Sequence, residues 1–291
     1  MNRSARRPVA WLALPALAAC TATAPPGPAP RSSTTIAPPG TSGASTVPPP
    51  VAAGLPRGYS PGADTAGDAY WSESAPMASY LATVAIGEYR VTTGMWHGLP
   101  MVLAVAAAAS TLDDVALENQ TRPVYAMGML NPSSSGSTKL LAHELAHQWY
   151  GDDVSVADWR DARLNEGFAT YAEWLWTEHQ GGASAKDEFD TAYRGLLPDP
   201  PAAPRDTSAV FGRSAYLRGA ATLGALRIAV GDDTFWRIMR GWPVAERFGN
   251  ATTADFIAYA DKVSGRSLDG FLHRWLYEAG TPPYPEPVPR P

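Results

Sequence analysis

Cysteine is almost absent: Cys20 is the only one in 291 residues. No intramolecular disulfide can form and no thiolate cluster can hold a metal, so a metal site must draw on histidine and carboxylate. Histidine is scarce as well, at five. Lys and Arg number 23 against 28 Asp and Glu and form no run, which leaves a net charge of −5 and argues against a nucleic-acid partner. The apolar run at 9–19 is too short to span a bilayer as a helix.

That run has a telling setting. Arg3, Arg6 and Arg7 precede it, and Leu17-Ala18-Ala19-Cys20 closes it. A positive start followed by a short apolar stretch reads as a secretory signal. L-A-A-C resembles a bacterial lipobox, in which the cysteine is lipidated and becomes the first residue of the mature chain. Residues 1–20 are therefore expected to be a lipoprotein leader, with Cys20 anchored to the outer face of the cell membrane. Much of the 28 Pro lies before residue 62, among Ala, Ser, Thr and Gly. Residues 21–67 then read as an extended linker, too poor in apolar side chains to fold.

What chemistry there is gathers in 139–150, around His143-Glu144-Leu145-Ala146-His147. On a helix, residues four apart share a face, so His143 and His147 can bind one Zn²⁺ while Glu144 reaches a water on the metal. The polar run 133–137 supplies N-caps, Leu140, Leu141, Leu145 and Trp149 recur near helical spacing, and Gly151 fits a stop. A catalytic zinc needs a third protein ligand. Asn165-Glu166-Gly167-Phe168-Ala169 offers Glu166, nineteen residues after His147, on a second helix that Asn165 could cap. That helix has an apolar stripe of Phe168, Tyr171, Leu175 and Trp176, and Gly181-Gly182 ends it. Taken alone, Glu166 is an ordinary first-turn glutamate. Glu173, seven residues on, is either support behind the metal ligands or, the plainer reading, a solvated helix glutamate. His97, His179 and His273 lack partners at ligand spacing.

H-E-x-x-H followed by N-E-G-F-A resembles the gluzincin pattern of the membrane alanyl aminopeptidase (aminopeptidase N) family. Two further segments match in order. Val115-Ala116-Leu117-Glu118-Asn119 is similar to that family's G-x-M-E-N segment, with Leu117 where the family has Met, and Ala215-Tyr216-Leu217-Arg218-Gly219-Ala220 to its Y-x-K-G-A segment. The resemblance covers roughly 110–291. It implies a thermolysin-like catalytic domain, mainly α with a small β part (α+β), over 98–291. It also implies that 68–97 is the remnant of a β-sandwich that is otherwise missing, and that the start of the catalytic domain is shortened.

The same resemblance implies one Zn²⁺ per chain on His143, His147 and Glu166, Glu144 as the catalytic base and Tyr216 as oxyanion donor. Glu118, with Ala116 and Leu117 beside it, would bind the free α-ammonium of a peptide substrate. Alone, Tyr216 reads as a packed helix aromatic and Glu118 as a solvated loop glutamate. A zinc endopeptidase on the same scaffold and an inactive binding lipoprotein are the rival readings. Among elements, the sequence predicts strands at 80–86, 99–105 and 124–130. Helices are predicted at 216–230, from 232 or 233 until Pro243 kinks or ends it, at 253–263 behind a Thr252–Asp255 cap, and at 268–277 with Phe271, Leu272 and Trp275 inward.

Overall fold

The structure is a computed structural model. It describes residues 51–52, 62–63, 69–70, 78–81, 84–85, 89–96, 99–106, 116–131, 133–196, 198, 200–201 and 209–289. Cys20, the leader and most of the linker expected from sequence lie outside the described residues. The chain divides into two compact units, 1–129 and 130–291.

In the first unit, strands β1 (Tyr89–Trp96) and β2 (Leu99–Ala106) pair antiparallel in full register, from Tyr89 opposite Ala106 to Trp96 opposite Leu99. The predicted strand at 99–105 is β2. The catalytic-domain boundary expected at 97/98 lies between these two paired strands. The strand expected at 80–86 is instead a 3-10 turn, Ser79–Leu81, followed by the short strand Val84–Ala85. Leu81 is buried in that turn, and its carbonyl accepts from the Asn119 side chain at 2.9 Å, so a tertiary contact outweighs local β propensity. β3 (Ala116–Leu117) pairs with β4 (Val124–Tyr125). The strand expected over 124–130 stops after two residues because Met127–Met129 turns into a 3-10 helix.

The second unit is helical: α1 (Ser135–Ala146), α2 (Arg163–His179), α3 (Ala185–Arg194), α4 (Gly219–Val230), α5 (Asp232–Ala245), α6 (Thr253–Ser264) and α7 (Asp269–Leu276). One parallel pair, β5 (Val154–Val156) with β6 (Gly249–Ala251), ties the α1–α2 connection to the α5–α6 connection. α4 is the centre, with ten of its twelve residues buried. A helix apolar all round is one that others enclose. Phe168 and Tyr171 of α2, Phe189 of α3, Phe235 and Trp242 of α5, Phe256 of α6 and Trp275 of α7 complete the core. Among the described residues, no helix is long and apolar enough to cross a membrane.

Most predicted helices appear, with shifted ends. Thr252 and Asp255 form a reciprocal capping box, and Gly265 ends α6 in the left-handed conformation. Gly231 stops α4 at φ 82° and is itself the N-cap of α5, so Asp232 and Asp233 stand in the first turn rather than capping it. α5 runs two residues past Pro243. α3, which the sequence reading passes over, opens with a second capping box, Ser184 with Asp187.

Of the apolar residues that recur near helical spacing in this segment, Leu145 and Trp149 are 52% and 56% exposed, while His143, Glu144 and Ala146 are buried. α1 ends at Ala146, five residues before the expected stop at Gly151. Its polar face is the one that packs, because the partners that bury it are polar.

Candidate metal centre

His143 lies in the last turn of α1, and His147 is the first residue beyond it. His147 keeps right-handed helical angles (φ −59°, ψ −23°) and its N–H still donates to the His143 carbonyl at 3.3 Å. The four-residue spacing therefore keeps its geometric meaning although the helix has formally ended, and the two rings meet edge to face with centroids 4.8 Å apart. Glu166 comes from α2, which starts at Arg163, so Asn165 lies inside the helix rather than capping it.

The three side chains converge on one point. Glu166 Oε2 lies 3.2 Å from His143 Nε2 and 3.5 Å from His147 Nε2, and all three residues are buried. One ligand atom from each falls within 4.8 Å of the others. The opposite ring nitrogens are held from behind: His143 Nδ1 is 2.8 Å from Glu173 Oε1, and His147 Nδ1 is 3.0 Å from the Tyr150 carbonyl. An acceptor on Nδ1 fixes the tautomer with the proton there and turns the Nε2 lone pair toward the shared point. Two imidazole Nε2 atoms and one carboxylate oxygen, each with its partner behind it, fit a divalent metal of the borderline class and suit zinc.

Electrostatics supports the same reading. Burial alone would pull the His143 pKa down, but the Glu166 and Glu173 carboxylates outweigh it and raise the pKa to about 10. Burial alone would raise Glu166, but the two imidazoles outweigh that and hold it at about 2. A buried anion pinned between two imidazoles is a pre-paired charge that a metal cation can take over from a proton.

Glu144, 5% exposed, is buried beside these ligands on the same turn of α1. Tyr216 is brought to the site by an irregular element. Ser214–Arg218 is a single π-helical turn running into α4, with the Gly219 N–H bonded to the Ser214 carbonyl. The Tyr216 ring stacks over that of His143 with centroids 6.1 Å apart. π turns are rare and recur at functional sites. Two glycines allow the approach. A Cβ on Gly167 would lie 2.8 Å from the Gly219 backbone, and a Cβ on Gly219 would lie 2.9 Å from Gly167 Cα. Backbone thus packs on backbone, and Glu166 and Tyr216 sit next to that contact in their respective segments.

Glu118, Ala116 and Leu117 belong to the first unit, where Ala116 and Leu117 form β3 and Glu118 is half-buried after it. The neighbouring Asn119 is fully buried on the Leu81 carbonyl. Of the residues predicted from sequence, the structure brings together His143, His147 and Glu166, with Tyr216 stacked on the first. Glu173 was undervalued: it is no solvated helix glutamate but the partner of a ligand. The signal was its spacing, two helical turns after Glu166 on the same face. The remaining histidines stay away from this cluster. His179 is on the exposed end of α2 beside Trp176, and His273 stacks on Tyr277, while His97 lies outside the described residues.

Comparison with known proteins agrees with this geometry. The family model described as peptidase family M1 domain matches residues 131–275. Aminopeptidase N of Streptomyces lividans is 32% identical over 155 residues, covering 48% of this chain and 18% of its own. The probable aminopeptidase 2 of Sulfurisphaera tokodaii is 30% identical over 158 residues, covering 49% and 20%. The chain thus spans about a fifth of the length of the relatives it matches. Among solved structures, the M1 zinc metallopeptidase of Deinococcus radiodurans superposes with a TM-score of 0.68 at 24% identity, covering 82% of this chain and 63% of that one. Legionella pneumophila aminopeptidase A gives 0.65 at 19% identity, covering 80% and 33%. Sequence motifs, fold and the domain match lead to one assignment: residues 131–275 are a peptidase family M1 domain.

Proposed function

We propose that the protein is a zinc-dependent aminopeptidase that removes N-terminal residues from peptides. The observation that carries this is the convergence of His143 Nε2, His147 Nε2 and Glu166 Oε2, each ring held from behind, with Glu144 buried beside them. The one zinc, when bound, supplies a Lewis acid that polarises the scissile carbonyl and acidifies water to a pKa of about 7. Glu144 accepts the proton of the attacking water and returns it to the departing amine. Tyr216 donates its hydroxyl hydrogen to the oxyanion that develops on the carbonyl oxygen. Glu118, flanked by Ala116 and Leu117, accepts from the substrate's α-ammonium, a charge-assisted bond that only a chain terminus can offer.

The names of the relatives support the exopeptidase reading, since both of those described are aminopeptidases. The test is hydrolysis of alanyl- and leucyl-arylamides, each free and N-acetylated, with and without a chelator. Cleavage of the free amines alone, abolished by chelation, supports the reading. Equal cleavage of the acetylated forms makes the enzyme an endopeptidase. No cleavage with zinc bound makes it a binding protein.

The lipid anchor is part of the same proposal. Leu17-Ala18-Ala19-Cys20, behind an arginine-bearing start, supports lipidation at Cys20 and a place on the outer face of a bacterial cell membrane, with residues 21–67 as the tether. Radiolabelled palmitate should enter the full chain and not its Cys20→Ser variant. Equal labelling of both would refute the anchor.

A further inference from the structure

Arg218 stands two residues after Tyr216 in the π turn and is 1% exposed. Its guanidinium donates to five main-chain carbonyls. Nε reaches Trp275 at 2.8 Å, Nη1 reaches Gly280 at 2.9 Å and Pro198 at 3.2 Å, and Nη2 reaches Glu278 at 2.6 Å and Arg274 at 3.1 Å. Arg274 and Trp275 are in the last turn of α7, whose carbonyls have no following helical N–H to accept from. A cation there also meets the negative end of the helix dipole. The Gly280 N–H donates to the Pro198 carbonyl at 2.8 Å, which closes the cage.

The π turn is a local departure from α-helix that something must hold in place. Gly167 against Gly219 holds it on the α2 side. Residues two apart on a helix point roughly to opposite sides, so Arg218 pulls toward α7 as Tyr216 points toward His143. The family pattern has lysine where this chain has Arg218. Lysine has three donors on one atom, whereas the planar guanidinium has five in a fixed fork. The cage found here uses all three guanidinium nitrogens.

We propose that Arg218 is a positioning residue for Tyr216: its five-carbonyl anchor to the end of α7 and the 278–280 loop fixes the π turn that aims the Tyr216 hydroxyl. The inference rests on the oxyanion role proposed for Tyr216. It is tested with the full chain by comparing Arg218→Lys in two backgrounds, wild type and Tyr216→Phe, with zinc content, KM and kcat read for each. The expected result is a fall in kcat of about tenfold to a hundredfold in the wild-type background, as for a small misplacement of a reacting group, with KM and zinc content unchanged. In the Tyr216→Phe background, already impaired, Arg218→Lys should remove nothing more.

A wild-type kcat for Arg218→Lys, or an equal loss in both backgrounds, overturns the inference while leaving the role of Tyr216 intact. A fully active Tyr216→Phe variant overturns both. Should Arg218→Lys fail to fold by circular dichroism, the same comparison is made with Pro198→Gly. Pro198 is exposed, and its substitution loosens one wall of the cage and leaves the guanidinium in place. A kcat loss confined to the Tyr216 background supports the anchor, and no loss, or an equal loss in both backgrounds, overturns it.

Discussion

In the proposed function, two glutamates near one candidate metal centre take different roles. Glu144 is adjacent in sequence to a ligand and buried at the centre, whereas Glu173 touches only the rear nitrogen of His143. Glu144→Gln is expected to keep its zinc and lose about 10²- to 10⁴-fold in kcat, the range for a general base, as measured on an arylamide. Glu173→Gln is expected to retain kcat at saturating zinc and to bind the metal about 10- to 100-fold more weakly, read by competition with a chromogenic chelator. His143, His147 and Glu144 were legible in the sequence because their spacing is that of one helical turn, and Glu166 because it stands in the N-E-G-F-A segment that follows. Glu173 was only half legible: its spacing puts it on the face of Glu166, but a glutamate on a helix is usually solvated, and only the fold reveals that His143 lies against it. Arg218 was hidden for a related reason: its partners are backbone carbonyls, which leave no trace in side-chain identity.

The helices were legible where a local signal marks them and misplaced where a tertiary contact overrides it. The Thr252–Asp255 box and Gly265 bound α6 almost to the residue, since both are short-range devices. Thr252→Ala should cost about 1 kcal/mol in urea unfolding, because it removes the side-chain cap of α6. α1 was harder: its leucines recur at helical spacing, yet the buried face carries Glu144 and His143, the latter satisfied by Glu166 and Glu173, while His147 just beyond it is satisfied by the Tyr150 carbonyl. A binary reading of apolar inside and polar outside fails at a functional helix, where polar side chains are buried because they are paired. Gly167 is the element-scale constraint on the site. Gly167→Ala drives a methyl into the Gly219 backbone and pushes α2 from the Tyr216 turn, so it should destabilise by about 1–3 kcal/mol and lower kcat as well. A variant with normal urea midpoint and normal kcat would contradict the backbone-to-backbone contact.

Across the whole molecule, the buried ligand cluster links stability to pH and to metal. In metal-free protein the raised pKa of His143 gives a stabilising contribution that is full below its ordinary value of about 6.5 and is lost as pH rises through about 10. The lowered pKa of Glu166 gives one that is present above about 4.5 and is lost as pH falls through about 2. Chelator-treated protein should therefore melt at its highest temperature between roughly pH 4.5 and 6.5, so far as these two groups decide it. Metal competes with the His143 proton, so zinc addition at neutral pH should release protons and raise the melting temperature, an effect of about 4 kcal/mol at a thousandfold excess over Kd. The most direct test of the account is a titration of metal-free protein with zinc, following alanyl-arylamide hydrolysis. Activity should rise linearly and break at one zinc per chain, with no rise in a variant carrying Glu166→Ala. Activity that is present without metal, or one bound zinc with no hydrolysis, would contradict it.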